Sequence, residues 1–290
     1  MGIRKPIVAG QFYPADRKSC LEEIEECLAG RSISKPLPKE IVAGIVPHAG
    51  WIFSGSLAAM VFTAIQRRHK KVDTFVIFGA AHGYFGSKPA VDGSDSWETP
   101  LGNVAIDKAL AELVLDEKSV ICDSSAHRRE HSIEVQIPFI RHLFGEANIL
   151  PIIVPPNDQA ISLGESLAQI DIPADKKVVY IASTDLTHYG PRYGFVPMGA
   201  GAEGLDWAGN VNDQQFIDLA LRLEAKELLA SAAENCNACG AGAAAAAVAA
   251  AKKLGKTAGA LLAKTNSNEV MLRKMGSAGY DSVGYAAIVF

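Results

Sequence analysis

The sequence has no excess of positive charge: 28 Lys and Arg stand against 32 Asp and Glu, a formal net of -4. That excludes a dedicated nucleic-acid binder, which normally carries a basic excess, and gives no reason to expect attachment to anionic membranes. There is also no long hydrophobic run. The longest uncharged apolar stretch, Cys239 to Ala251, falls short of the roughly 20 residues that cross a bilayer, and it is mostly Ala and Gly. Cysteine is sparse. Cys20, Cys27, Cys122, Cys236 and Cys239 are odd in number and scattered, so they do not form a disulfide framework. The opening Met1-Gly2-Ile3-Arg4-Lys5-Pro6 lacks a following apolar segment, and Pro6 stands where a myristoylation signal wants Ser or Thr. A cytoplasmic protein is expected.

Several catalytic signatures are missing as well. No G-x-S-x-G elbow occurs, no G-x-G-x-x-G follows the first strand, and no Walker A lysine is present. Gly199 to Gly204 has glycines at a suggestive spacing, but it lies in a loop and opens no helix. Nucleophilic Ser chemistry and dinucleotide or NTP binding are therefore disfavoured.

What is present is a 290-residue chain with 49% hydrophobic residues, enough to bury a full core. Apolar runs at Ile41 to Val46, Val72 to Phe78, Ile149 to Val154 and Lys177 to Ala182 read as strands, with later ones at Thr257 to Ala263 and Val283 to Phe290. Between them, 3.6-residue periodicity marks helices at Arg17 to Ala29, Ser56 to Arg68, Asp107 to Leu115, His131 to Phe144 (kinked at Pro138) and Ala160 to Ile170. Continuous apolar strands alternating with helices predict an α/β fold, a mostly parallel central sheet with helices on both faces. No linker or repeat interrupts it, so residues 1–290 read as a single domain. Gly190 to Gly209 is the segment best suited to a mobile loop.

Three of these strands end alike. Ile41 to Val46 runs into Pro47-His48-Ala49-Gly50, Val72 to Phe78 into Gly79-Ala80-Ala81-His82, and Lys177 to Ala182 into Ser183-Thr184-Asp185-Leu186-Thr187-His188. Ligands of open α/β sheets bind beyond the carboxyl ends of the strands, and neighbouring strands lie about 4.8 Å apart. One ion could thus be reached by His48, His82 and Asp185, a two-His-one-carboxylate set suited to Fe(II), with His188 beside it. A single His after a strand is more often a hydrogen-bonded loop residue; the repetition is what carries the signal. His69 and His142 sit in basic or helical surface contexts, and His127 beside Arg128 and Arg129 is undecided.

His131 opens the predicted helix at Glu130-His131-Ser132-Ile133-Glu134. A helix N-terminus favours neutral imidazole, available as a base, although a plain hydrogen bond to Glu134 explains the placement equally well. Cys236 and Cys239 have C-x-x-C spacing ahead of the Ala-rich run. No second ligand pair completes a structural zinc site, and the context is not thioredoxin-like. A single thiolate ligand from Cys239, joined to distant histidines, remains.

Arg4-Lys5-Pro6-Ile7-Val8-Ala9-Gly10-Gln11-Phe12-Tyr13-Pro14-Ala15-Asp16 resembles the N-terminal signature of the Memo family, named AmmeMemoRadiSam system protein B in prokaryotes. Pro47-His48-Ala49-Gly50-Trp51, Glu130-His131-Ser132-Ile133-Glu134 and Asn237-Ala238-Cys239-Gly240 resemble its further blocks, in order along essentially the whole chain. The resemblance implies a fold like that of class III extradiol, non-haem iron dioxygenases. It implies a metal pocket of His48, His82 and Cys239 holding Fe(II), with Cu or Zn as alternatives, and a redox or oxygen-dependent role. Asp185, His188 and His131 would line the same pocket, His131 or His188 as proton carrier. Two departures stand out: Ala80-Ala81 before His82, where the family has Pro or a polar residue, and Trp51 in place of Tyr, which would alter the pocket wall. Ring cleavage of catechol-like substrates is one alternative. A non-catalytic module that binds a small molecule or peptide, working with radical-SAM and AMMECR-type proteins, is the other.

Overall fold

The computed structural model describes residues 2–34, 36–116 and 119–290. Four parallel strands form the middle of its large sheet, in the order Ala43–Val46, Val178–Ser183, Thr74–Gly79 and Asn148–Ile153. Their apolar runs are unbroken because both faces are covered; Ala43–Val46 and Thr74–Gly79 are buried at every residue. Val46 pairs with Ser183 and Phe78 with Ala182, so three adjacent strands stop at nearly the same level.

Antiparallel strands extend both sides of this centre. Ser282–Val289 lies against Ala43–Val46 and also pairs with Ala260–Asn266 and His188–Tyr189. On the far side Ala90–Val91 runs antiparallel to Asn148–Ile153 and parallel to Ile121–Cys122. The expected parallel sheet is thus the core of a mixed one. A small separate sheet of Ile3–Arg4, Ser96–Trp97 and Val104–Ala105 fastens the N-terminal segment to the body.

Helix Trp51–Arg68 covers one face together with Arg17–Ala29 and Ile137–Phe144. Helix Ala241–Lys253 covers the other with Gln159–Leu167 and Ala225–Asn235. Every residue from Ala241 to Ala251 is buried, which explains why this helix carries no polar stripe. Its run of small side chains permits close approach: a Cβ on Gly164 would stand 2.1 Å from the Ala246 carbonyl oxygen. No helix among the described residues is long and apolar enough to cross a membrane.

Two expectations are corrected. Residues 131–144 are not one kinked helix. A 3₁₀ turn, Glu134–Gln136, leads into the α-helix Ile137–Phe144. Pro138 sits in the first turn, where its missing N–H costs no intrahelical bond, so it starts the helix rather than bending it. The Gly190 to Gly209 stretch is structured in part: it contains the turn Pro191–Tyr193 and the helix Ala202–Trp207, and the Tyr189 hydroxyl donates to the Gly199 carbonyl at 2.7 Å.

Candidate metal centre

The three adjacent strand ends deliver their polar residues to one edge of the sheet. His48 is almost fully buried, and its backbone N–H donates to Asp185 Oδ1 at 2.7 Å. That bond ties the loop after Ala43–Val46 to the loop after Val178–Ser183. The loop before helix Ala241–Lys253 docks on the same point. Cys239 N–H donates to the Asp185 carbonyl at 3.2 Å, Asp185 N–H points at Cys239 Sγ at 3.3 Å, and Gly240 N–H donates to Thr184 Oγ1 at 2.9 Å. A Cβ on residue 240 would lie 2.4 Å from the Ser183 carbonyl oxygen, so a glycine is required for this approach. Cys239 Sγ then rests 3.2 Å from His48 Nε2.

Hydrogen bonds fix how the imidazoles face. The Ser183 hydroxyl donates its one hydrogen to the Ser132 carbonyl at 2.7 Å and receives Gln136 Nε2 at 3.2 Å. Its contact with His48 Nδ1 at 3.1 Å must therefore be a bond it accepts, which puts the proton on Nδ1 and the lone pair on Nε2, facing Cys239. Glu130 receives His82 Nδ1 on both oxygens, at 3.2 and 3.1 Å. His188 Nδ1 donates to the Leu186 carbonyl at 3.0 Å. In all three rings Nδ1 is occupied by an oxygen and Nε2 is the atom left for other chemistry.

His131 completes the cluster. Its ring stacks on His82 (centroids 5.1 Å, interplanar 5°) and meets His48 edge-on at 5.3 Å. Phe12, from the N-terminal segment, closes its outer side at 4.9 Å. One ligand atom from each of His48, His82 and His131 lies within 4.8 Å of the others. Opening a helix does not account for His131, since it precedes the 3₁₀ turn, and Glu134 is not its partner. The Glu134 carboxylate is turned to the N-terminal segment instead. It accepts Ile7 N–H at 2.8 Å, Val8 N–H at 2.9 Å, the Tyr13 hydroxyl at 3.1 Å and the Arg4 guanidinium at 2.7 Å.

The electrostatics follow from burial and pairing. Burial holds His48 well below its ordinary value, with the neighbouring His82 and His131 adding to the effect. Burial lowers His131 and His188 too. Burial also opposes charge on His82, but hydrogen bonds that the ring donates to Cys239 and Glu130 outweigh it and carry it up to about 10. Glu130 is the complement: burial would raise it, yet its bonds to His82 and the Ser132 N–H hold it at about 2. Asp185, buried, is pushed up to about 7 despite the N–H groups of His48 and Ala49. Burial raises the Cys239 thiol; a cation at this position would reverse that.

The remaining histidines lie elsewhere. His127 is buried with Nε2 on the Ala90 carbonyl at 2.9 Å, His69 caps the Ile41 carbonyl at 2.6 Å, and His142 faces Glu25 at 3.0 Å. Cys20 and Cys27 are core residues, while Cys122 and Cys236 are exposed. Trp51 lines a cavity of about 760 Å³ together with Phe12, Tyr13 and Phe53. It is buried, donates Nε1–H to the Val135 carbonyl at 3.0 Å, and packs on Tyr13 and Phe139. Sequence reasoning assigned no role to Glu130, Ser183 or Phe12. An acid directly before a histidine was a usable signal for Glu130; a serine at a strand end carries none.

The donor set fits a first-row transition metal. Imidazoles suit Fe, Cu, Zn and Ni, and a thiolate at the rim adds softness favouring Cu(I) or Zn.

The model of Memo-like proteins matches residues 4–289. A MEMO1 family protein of Methanococcoides burtonii is 36% identical over 291 residues, covering 99% of each chain. One of Thermococcus onnurineus is 37% identical over 299 residues, again covering 99% of each. Among solved structures, an uncharacterized protein of Escherichia coli K12 superposes with a TM-score of 0.53 at 14% identity, covering 84% of this chain and 99% of its own; that likeness concerns the fold alone.

Proposed function

This chain belongs to the family of Memo-like proteins, and on that premise we propose that it is a metal-binding protein whose centre is formed by His48, His82 and Cys239, with iron as the ion and a redox or oxygen-dependent role. One observation carries the reading: the Nε2 side of His48, oriented through Ser183, faces Cys239 Sγ at 3.2 Å, and the His82 ring, oriented by Glu130, stands 5.1 Å from the His48 ring. A bound ion would supply Lewis acidity and one-electron chemistry there. The chain's own part is orientation and proton handling. Glu130 and Ser183 hold Nδ1 of the two ligand rings. Asp185 fixes the His48 backbone through Oδ1, and His188 offers a free Nε2 for a proton. His131, shielded by Phe12, is the second candidate carrier.

The test is bound iron after oxygen-free purification, measured in the parent, Cys239→Ala and His131→Ala. Near-stoichiometric iron in the parent, lost in Cys239→Ala and retained in His131→Ala, supports the assignment; equal iron in the parent and Cys239→Ala overturns it. A second reading has its own support. The mutual proximity of the His48, His82 and His131 donors suits an all-imidazole site with Cys239 beside it, and it requires the opposite pattern, iron lost in His131→Ala. Catechol cleavage is a narrower version of either and predicts oxygen uptake with simple catechols. A radical-SAM or AMMECR-type working partner is compatible with both and predicts co-purification.

A further inference from the structure

Beside the metal centre lies a cavity of about 430 Å³ lined by Gly83, Phe85, Ser125, Ala126, Arg128, Arg129 and Glu130. Its volume is within the range of small-molecule sites. It adjoins the centre through two residues: Gly83 follows His82, and Glu130 holds the His82 ring. Arg128 and Arg129 are both exposed. Among the described residues neither guanidinium has an ion pair or hydrogen bond. Of the acids flanking them in sequence, the Glu130 carboxylate, also part of the lining, is taken by His82 Nδ1 (3.1 and 3.2 Å) and Ser132 N–H (2.7 Å), and Asp123 by Ser125 through both N–H (2.9 Å) and hydroxyl (2.6 Å).

These two cations stand on a fixed turn. Arg4 reaches from the N-terminal strand to the His127 carbonyl (Nε and Nη2, both 3.1 Å) and to the Glu130 carbonyl (Nη2, 2.6 Å), clamping the backbone on either side of Arg128-Arg129. His127, buried just before them, anchors the same turn to Ala90. The same cavity is lined by Phe85, whose ring is 97% exposed, the most exposed large hydrophobic side chain among the described residues. A pair of unpaired guanidinium groups on a rigid turn matches a carboxylate or phosphate, and an open aromatic face matches a flat apolar body.

We infer that this cavity binds an oxyanion attached to a planar, apolar small molecule, with Arg128 and Arg129 holding the oxyanion and Phe85 covering the ring. Placed so, the ligand sits against the flank of His82. The binding site itself does not depend on which residues hold the metal; its use as a substrate site rests on the function proposed above.

The test is calorimetric titration of the whole chain with benzoate, phenyl phosphate and inorganic phosphate, with bound metal measured in the same samples. Saturable binding of benzoate or phenyl phosphate is expected, weakened about tenfold or more in the double variant Arg128→Ala/Arg129→Ala, with metal content unchanged. Phe85→Ala should weaken the aromatic anions and leave inorganic phosphate as it was. Preference for benzoate or for phenyl phosphate identifies the oxyanion. Absence of saturable binding, or equal binding in the parent and the double variant, overturns the site. Equal loss for all three anions in Phe85→Ala overturns the role given to its ring. Metal loss without loss of anion binding counts against the metal reading alone.

Discussion

Glu130 holds His82 at three points: both carboxylate oxygens stand 3.1 to 3.2 Å from Nδ1, and one also accepts the His82 backbone N–H at 3.3 Å. The same carboxylate accepts Ser132 N–H at 2.7 Å, and the Ser132 hydroxyl in turn receives Ala80 N–H at 3.0 Å. The loop carrying His82 is thus bound along its length to the segment carrying His131. Removing such a carboxylate behind a ligand histidine lowers metal affinity by roughly 10- to 100-fold. Glu130→Gln is expected to show a loss in that range by chelator competition, with the fold intact by circular dichroism. Unchanged affinity would show that the bond positions nothing.

Ser183 makes the corresponding prediction for His48. Its hydroxyl satisfies three buried groups at once: His48 Nδ1, Gln136 Nε2 and the Ser132 carbonyl. Ser183→Ala leaves them without this partner, at a cost of about 1–3 kcal/mol for a buried polar group deprived of its bond. Urea unfolding of the metal-free protein should register that loss, and metal affinity should fall with it. A variant as stable as the parent would mean that water replaces the hydroxyl and that the His48 tautomer is not held by it.

These two residues mark where the sequence was legible and where it was not. The recurrence of strand, short loop and histidine placed His48, His82 and Asp185 on one edge of the sheet, because parallel strands must point their carboxyl ends the same way. Cys239 was legible from its C-x-x-C context as one surviving alternative, which the family's blocks singled out, but nothing in its spacing says that Gly240 lets its loop touch the Ser183 carbonyl. Glu134 misled for a similar reason. One helical turn after His131 it looks like a local partner, but its carboxylate serves Arg4, Ile7, Val8 and Tyr13, more than 120 residues away in sequence. The antiparallel flanks were hidden too. Ser282–Val289 is as apolar as a parallel strand, and its direction is set only by pairing with Ala43–Val46.

Asp213 gives the fold a pH dependence away from the metal centre. Burial pushes its carboxyl up to about 6, although Thr187 donates to it, its backbone N–H at 2.9 Å. The folded site accommodates the protonated form better than the unfolded chain does. The contribution of this residue is therefore complete below its ordinary value near 3.8 and is lost as the pH rises through about 6. Asp213→Asn keeps an oxygen for the Thr187 N–H and cannot ionise. Compared with the parent, it should gain relative stability between about pH 4 and 6 and then hold that gain. Melting temperatures across that interval decide the matter, and parallel curves for the two proteins would exclude Asp213 as the source.

Arg4 and Glu134 form the buried pair that fastens the N-terminal segment, with side chains 8% and 3% exposed. Arg4 also lies over the Trp97 ring at 3.9 Å and holds the His127 and Glu130 carbonyls, so its charge is satisfied from several sides. Removing one member of such a pair strands the other, which typically costs about 3–5 kcal/mol. Glu134→Ala should fall in that range by chemical denaturation, because it also leaves Ile7 N–H, Val8 N–H and the Tyr13 hydroxyl without their acceptor. Glu134→Gln keeps an oxygen for part of this set and should cost less. The segment includes Phe12, which closes the outer side of His131. Glu134→Ala should therefore also speed modification of His131 by diethyl pyrocarbonate, read by peptide mass. Loss of stability without faster modification would mean that Phe12 stays in place without its anchor, and that the pair serves the fold alone.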